Sequence, residues 1–259
     1  MATDGRAAAV PPAAAAHSGS AQPATLRAAV AGLLGFAATE ETVLLAGAAI
    51  DADEGNAACW AAVPAIAHNS EFKEQQVRRL AAVRERTTPP EFPQIDHRSP
   101  AVYRGYADRD GQAVAAASWT ISGALLAGAL AASDEDLLDP SRHPWLAGRQ
   151  LWLQIVVRGF WHPIGHVGEY YLRHHRPERA VALHEHAVAA ARYHAAPDAA
   201  LGMACYGLAC AQAVTGRHDE ALETLAEAVS RNPDLQAPAR RDEDLVPLRP
   251  DRRFSRLLT

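Results

Sequence analysis

The chain has 259 residues, of which 49% are hydrophobic and 6% aromatic, and its formal net charge is −5. This length provides core for one large or two modest domains, and the absence of a basic stripe argues against nucleic-acid binding. The three cysteines are too few for a disulfide framework. The apolar runs at 28–38 and 121–132 are too short and too rich in Gly and Ala to cross a bilayer. We therefore expect a cytoplasmic protein without membrane partners.

Abundant alanine and the lack of alternating β-branched runs favour an all-α fold. Residues 1–22 are rich in Ala and Pro and predict a disordered tail, because they carry too little large apolar surface to offset ordering entropy. Thr25 is the predicted cap of a first helix of about 25 residues. Its expected buried stripe is Leu26, Val30, Leu33, Leu34, Ala37, Val43 and Leu44. The turn cluster Asp51–Asn56 should end the helix.

A second helix is expected from Trp60 to Arg86, and its buried face can be assigned in two ways. The first assignment places a partly polar stripe inside: Trp60, Pro64, Ala67, His68, Glu71, Gln75 and Arg78. The alternative buries Val63, Ile66, Phe72, Val77 and Leu80 and leaves His68 at the margin. The sequence alone favours neither assignment.

The segment 87–100 has four prolines in 14 residues and predicts a long irregular connection, either a lid or a plain crossover. Asp96 and His97 within it are read as an acid/base pair or as solvated loop residues, with the solvated interpretation favoured. A third helix follows from Arg109 to Ala132, with Trp119 as its bulky residue. These helices and the next form a bundle with one long crossover.

The fourth predicted helix, over 150–174, carries its apolar residues at helical spacing: Leu151, Ile155, Phe160, Ile164, Val167 and Tyr171. On this helix His162 and His166 are four residues apart and share one side, so both can bind one metal ion. Pro163 lies between them, removes one backbone donor and should bend the axis near Gly159.

From residue 176 the pattern changes to shorter helical units. Residues 205–233 match the tetratricopeptide pattern at small, apolar and Pro positions, and 176–188 form a weaker preceding unit. These matches are Leu208, Ala209, Gly216, Ala221, Leu225, Ala228 and Pro233. The first helix of the weaker unit is then the His162 helix itself. Residues 242–258 are expected to cap the stack, and the histidines between 174 and 194 to lie on solvated surfaces.

Trp60 with His68 eight residues later, followed by the His162–His166 pair on a fourth helix, resembles the DinB-like (YfiT-like) superfamily of four-helix bundles. The resemblance covers roughly residues 24–175, and the domains expected are the tail 1–22, the bundle 23–175 and the tetratricopeptide-like extension 176–259. It implies that His68, His162 and His166 are three metal ligands. Asn69 departs from the family, which usually has an apolar residue there.

The resemblance implies a zinc or nickel ion with open coordination positions, and an enzyme that transfers a low-molecular-weight thiol, hydrolyses or isomerises a small electrophilic metabolite. Glu71, one turn after His68, is the expected second-shell partner or general base; Glu169 and Tyr170 are further candidates. The alternative is a protein without catalysis that sequesters a small molecule or binds a protein partner through its repeats. Those repeats could equally join copies of the chain.

Overall fold

The computed structural model describes residues 23–51, 60–92 and 100–259, and the described residues form helices and turns without a β-strand. The all-α prediction is therefore confirmed. The predicted tail 1–22, the cluster 52–56 and the Asp96–His97 pair lie outside the described residues. The helices are α1 Pro23–Asp51, α2 Ala62–Glu85, α3 Pro100–Ala107, α4 Gly111–Ala131, α5 Asp134–Leu138, α6 Leu151–Val156, α7 His162–Arg173, α8 Pro177–Tyr193, α9 Asp198–Val214, α10 His218–Arg231, α11 Gln236–Ala239 and α12 Arg252–Leu257.

Helix α1 begins at Pro23, two residues before the predicted cap, because Pro fits the first turn of a helix. Its predicted stripe is buried except at one position. Val43 was expected inside and is 53% exposed, because the buried positions 37, 41 and 44 follow one another at four- and three-residue steps and Val43 lies outside this row. Glu41 takes the inner position instead and is 1% exposed.

Helix α2 is buried on a much wider face than either predicted stripe. His68 is fully buried, so the assignment that leaves it at the margin is wrong, although its members Ile66 and Leu80 are buried as well. The polar assignment is wrong at Arg78, which was expected inside. Its side chain is 62% exposed and pairs with Glu74 one turn earlier. The helix ends at Arg86, whose φ of 56° is left-handed.

The four long helical segments have directions that require a crossover. A Cβ on Gly111 would lie 3.3 Å from Val63, and one on Gly128 would lie 3.0 Å from Leu80, so α4 runs parallel to α2. Helix α1 is antiparallel to α4, because Arg27 bonds to the carbonyl of Ala132 at the far end. The connection between α2 and α4 contains α3, which the sequence did not predict. Asp110 caps α4 by accepting a 2.7 Å bond from the Ala113 amide.

The predicted fourth helix is one continuous helical segment with a disturbed centre. Helix α6 passes into a π-helical turn over Val157–Trp161, which is followed directly by α7. Pro163 lies in the first turn of α7, where its missing N–H would otherwise point at Gly159. The π turn lets the backbone pass this gap, so the predicted disturbance near Gly159 is present as a change of helix type.

Helices α7 to α10 pack in sequence, each against the next, and the chain ends over α9 and α10. Gly216 forms the turn between α9 and α10 with a φ of 85°, a conformation that glycine adopts without strain. The terminal segment packs through buried apolar residues, as the predicted cap requires: Leu245, Leu248, Phe254 and Leu258. The apolar core is continuous from α1 to this segment.

The sequence predicted no membrane span, because its apolar runs at 28–38 and 121–132 are short. Two helices of the structure are longer than those runs. Ala24–Ala48 and Gly111–Ala131 have mean hydropathies of 1.5 and 1.6, enough by length and composition to cross a bilayer. Core helices of soluble proteins share this composition, and α1 contributes Leu33 and Leu34 to the core. Helix α4 is more exposed, and its Trp119 is 66% exposed.

Candidate metal centre

Three histidines from two helices meet between α2 and α7. The candidate ligand nitrogens of His68, His162 and His166 all lie within 4.8 Å of one another. The ring centroids of His162 and His166 are 4.5 Å apart. The centroid of His68 lies 5.3 Å from that of His162 and 5.1 Å from that of His166. The structure therefore brings together the three residues predicted from the sequence as metal ligands.

The two helices deliver these side chains because they run antiparallel. Phe72, one turn after His68, stacks on His162 with ring centroids 4.3 Å apart, and His174 lies near the Trp60 carbonyl at the other end of the contact. Pro163 does not separate the pair, since it occupies the first turn after the π segment and α7 is regular from there on. His162 and His166 keep the four-residue spacing of a single face.

The donor set suits a transition metal. Zinc–nitrogen bonds of about 2.0–2.1 Å place tetrahedral ligand atoms about 3.3 Å apart, so small side-chain rotations would bring the three nitrogens into range. Three neutral imidazoles without a fourth protein ligand are typical of catalytic zinc. Among the described residues, no fourth metal-competent side chain belongs to the group formed by His68, His162 and His166.

Aromatic rings enclose the buried side of the histidines. Trp60 and Phe72 contact the His68 ring at centroid distances of 5.4 and 4.7 Å, and Tyr106 of α3 contacts it at 5.8 Å. Apolar walls lower the local dielectric around the imidazoles. The residues of α3, absent from the predicted elements, thus form part of this enclosure.

Two carboxylates follow ligand candidates by three residues, Glu71 after His68 and Glu169 after His166. Glu71, the predicted general base, accepts a hydrogen bond from the hydroxyl of Tyr106, and burial together with this bond raises the pKa of Tyr106. Glu169 places a carboxylate oxygen 3.5 Å from Nδ1 of His166 and also contacts Arg173. A carboxylate on the second nitrogen of an imidazole orients the ring for metal binding, and Glu169 has this contact with His166.

The interior next to the histidines is polar, as the first assignment of the α2 face predicted in part, since Gln75 of that stripe is buried. Asn69, Lys73 and Gln76 are almost fully buried on one side of α2, at spacings of four and three residues. Lys73 donates to Glu41 of α1 at 2.5 Å and to Ser122 of α4 at 2.9 Å. Within the described part of the chain, the side-chain amides of Asn69 and Gln76 have no hydrogen-bond partner.

His184 contradicts the expectation that the histidines around α8 are solvated. It is 8% exposed and lies between two helices, because a Cβ on Gly168 would meet it at 2.6 Å and one on Gly207 at 2.9 Å. Burial lowers its pKa to about 4. Glycine on both neighbouring helices leaves room for the imidazole, and this long-range match is invisible in local periodicity.

A second group, formed by Cys210, Asp242 and Asp244, also has metal-competent atoms within 4.8 Å of one another. Asp242 already accepts a 2.7 Å bond from the Tyr206 hydroxyl and caps the 3-10 turn Glu243–Leu248. This group has a structural role in holding the C-terminal segment on α9.

Comparison of the chain with protein-family models, with curated protein sequences and with solved structures gives no match.

Proposed function

We propose that His68, His162 and His166 hold one divalent metal ion, zinc or nickel, and that the protein is a metal-dependent enzyme acting on a small metabolite. The observation that carries this proposal is the convergence of three imidazoles from two antiparallel helices, with ligand atoms within 4.8 Å of one another. Chance packing seldom collects three histidines in an apolar enclosure, because each buried imidazole costs desolvation free energy.

The reaction class follows from what surrounds the histidines. A bound ion of this kind lowers the pKa of a coordinated water or thiol, or polarises a carbonyl. Glu71 is the proposed general base, held by Tyr106, and Glu169 fixes the orientation of the His166 ring. We propose a small electrophilic or thiol-bearing substrate, with thiol transfer, hydrolysis or isomerisation as the reaction and a low-molecular-weight thiol as a second cofactor.

We also propose a DinB-like bundle and a tetratricopeptide-like extension as the two parts of the fold. Four long helical segments with a crossover between the second and third fit the DinB-like bundle that the resemblance implies for residues 23–175. The successive packing of α7 to α10 fits a tetratricopeptide-like extension over 176–259, a class that binds protein partners or a second copy of the chain. A cytoplasmic location is proposed with it.

The test is metal content. Untagged protein, prepared without chelators, is analysed by elemental mass spectrometry beside the His68→Ala/His162→Ala variant. We expect about one zinc or nickel per chain in the wild type and loss in the variant. The matched control is His186→Ala/His218→Ala, which removes two exposed histidines and should keep the metal.

Absence of metal in the wild type, even after zinc and nickel are added, would refute the metalloenzyme and leave a binding protein. If metal is present, the loaded protein is assayed with a small thiol and a chromogenic electrophile. Glu71→Gln should then lower kcat by about 10²-fold or more with the metal retained. Glu74→Gln, on the exposed side of α2, is its control.

A further inference from the structure

Three arginines converge beyond the metal centre, along the same contact between α2 and the α6–α7 segment. Arg79 follows His68 by eleven residues and shares its face of α2, about 16 Å along the helix. Arg158 lies in the π turn, and Arg149 just precedes α6. Arg79 and Arg149 both lie close enough to lower the pKa of Arg158 by charge repulsion.

No carboxylate among the described residues pairs with these three guanidinium groups, although the chain carries more acidic than basic side chains. Arg79 packs over the rings of Phe92 and Trp145 at 5.0 and 5.4 Å. Arg149 bonds to the Leu146 carbonyl at 3.2 Å. Arg142, by contrast, pairs with Glu135 and Asp136.

Two buried hydrogen-bond donors at this place are unused among the described residues. Nε of Arg158 and Nε1 of Trp145 are buried and have no acceptor within the described residues. Burial lowers the pKa of Arg158 to about 10, and the repulsion of the two other arginines adds to this effect, so the group stays charged at neutral pH. Clustered, partly buried cations that have no carboxylate partner within the described ranges are typical of a site shaped for an anion.

We propose that Arg79, Arg149 and Arg158, with Trp145, bind the anionic group, a carboxylate or a phosphate, of the small molecule whose reactive end reaches the three histidines. Phe72 connects the two ends: the Arg158 guanidinium lies 4.6 Å from its ring centroid, and the His162 ring lies 4.3 Å from it. This substrate class rests on the proposed function, whereas anion binding itself does not.

The test is calorimetric titration of metal-free protein with inorganic phosphate and, in a second arm, with succinate. We expect one saturable site for at least one of the two anions, weakened about tenfold or more in Arg158→Gln and in Arg79→Gln, because each removes a charged donor. Arg158→Lys should retain part of the affinity, since it keeps the charge without the planar fork. The bound anion should also raise Tm in the wild type and much less in Arg158→Gln.

The matched control is Arg78→Gln, which removes a neighbouring arginine whose side chain is 62% exposed and should leave binding unchanged. Unsaturable binding of both anions, or equal weakening by Arg78→Gln, would overturn the proposal as a general charge effect. The variant His68→Ala/His162→Ala should bind the anion normally, and Arg158→Gln should bind zinc normally. If the wild type binds metal but shows no saturable anion binding, the arginine site is rejected. If it binds the anion but no metal, the metal centre is rejected.

Discussion

At the scale of single residues, His184 is a buried base whose charged form the fold does not accommodate. The imidazole fills the space between Gly168 and Gly207, and its pKa falls from 6.5 to about 4. The folded protein therefore keeps it neutral over a pH range in which the unfolded chain binds a proton.

We predict that the free energy of unfolding falls as the pH falls from 6.5 towards 4, because protons bind preferentially to the unfolded chain in this window. Each pH unit is worth at most about 1.4 kcal/mol, and the whole window about 3 kcal/mol. Urea denaturation of metal-free protein at several pH values measures this dependence. His184→Gln should show a flatter profile than the wild type.

The control for this prediction is His186→Gln, two residues along α8 and exposed, which should follow the wild-type profile. Parallel profiles for the wild type and His184→Gln would show that the neutral state of His184 does not govern acid stability.

The residues of the metal centre were predictable to different degrees. His162 and His166 carry a local signal, because a four-residue spacing puts two side chains on one helical face. His68 was identified by resemblance, and its full burial then came from the packing of α2 against α7. The arginine cluster was missed, since Arg79 and Arg158 are far apart in sequence and each looks like an ordinary surface residue.

At the scale of elements, the close packing of α7 against α8 depends on Gly168, whose missing side chain leaves room for His184. A Cβ on Gly168 would lie 2.6 Å from Nε2 of His184, whereas a Cβ on Gly165 of the same helix would have nothing within 4 Å. The imidazole cannot move away, because Gly207 confines it from the other side.

Gly168→Ala should therefore destabilise the protein by about 1–3 kcal/mol through overpacking. Gly165→Ala should be neutral or stabilise it by up to about 1 kcal/mol, since alanine is the better helix former. Chemical denaturation measures both. Equal stability of the two variants would contradict the described fit, and Gly168→Ala combined with His184→Ala should recover part of the loss.

Helix positions were predicted within about two residues for α1, α2 and α4, because each is long enough for its apolar periodicity to be clear. Helix α3 was missed because it is only eight residues long, too short for a clear apolar period. The π turn left a signal that was not used: Ile155 and Phe160 are both buried, yet they are five residues apart rather than three or four.

At the scale of the whole molecule, one buried ion pair joins three helices. Lys73 of α2 and Glu41 of α1 are 2% and 1% exposed, and Ser118 of α4 donates to the same carboxylate oxygen at 3.2 Å. Removal of one charge would leave the other buried without its partner, which is costly in the low dielectric of a core.

Lys73→Met should lower the free energy of unfolding by about 3–5 kcal/mol. The double variant Glu41→Gln/Lys73→Met should lose clearly less, because neither charge is then buried alone. Exchange of the exposed pair Glu74 and Arg78 for glutamine should change stability by about 0–1 kcal/mol. A double variant as unstable as Lys73→Met would show that packing, rather than the uncompensated charge, accounts for the loss.

The all-α class followed from composition, but the directions of the helices did not. Parallel packing of α2 and α4 depends on contacts such as Val63 with Gly111, which local patterns do not encode. A partly polar buried face of α2 was one of the two predicted assignments, and its Gln75 is buried. The burial of Lys73 and Gln76 was not predicted, because such residue types usually lie at the surface.

The π turn has a consequence for the angular phase of the helical segment that contains α6 and α7. One extra residue between α6 and α7 rotates everything after it by about 100° relative to an uninterrupted α-helix. Shortening this turn by one residue would keep Leu151 and Ile155 inside but turn His162 and His166 away from His68. The angle between the arginine end and the histidine end of the α2 contact is thus set by a single inserted residue, at the place where Arg158 lies.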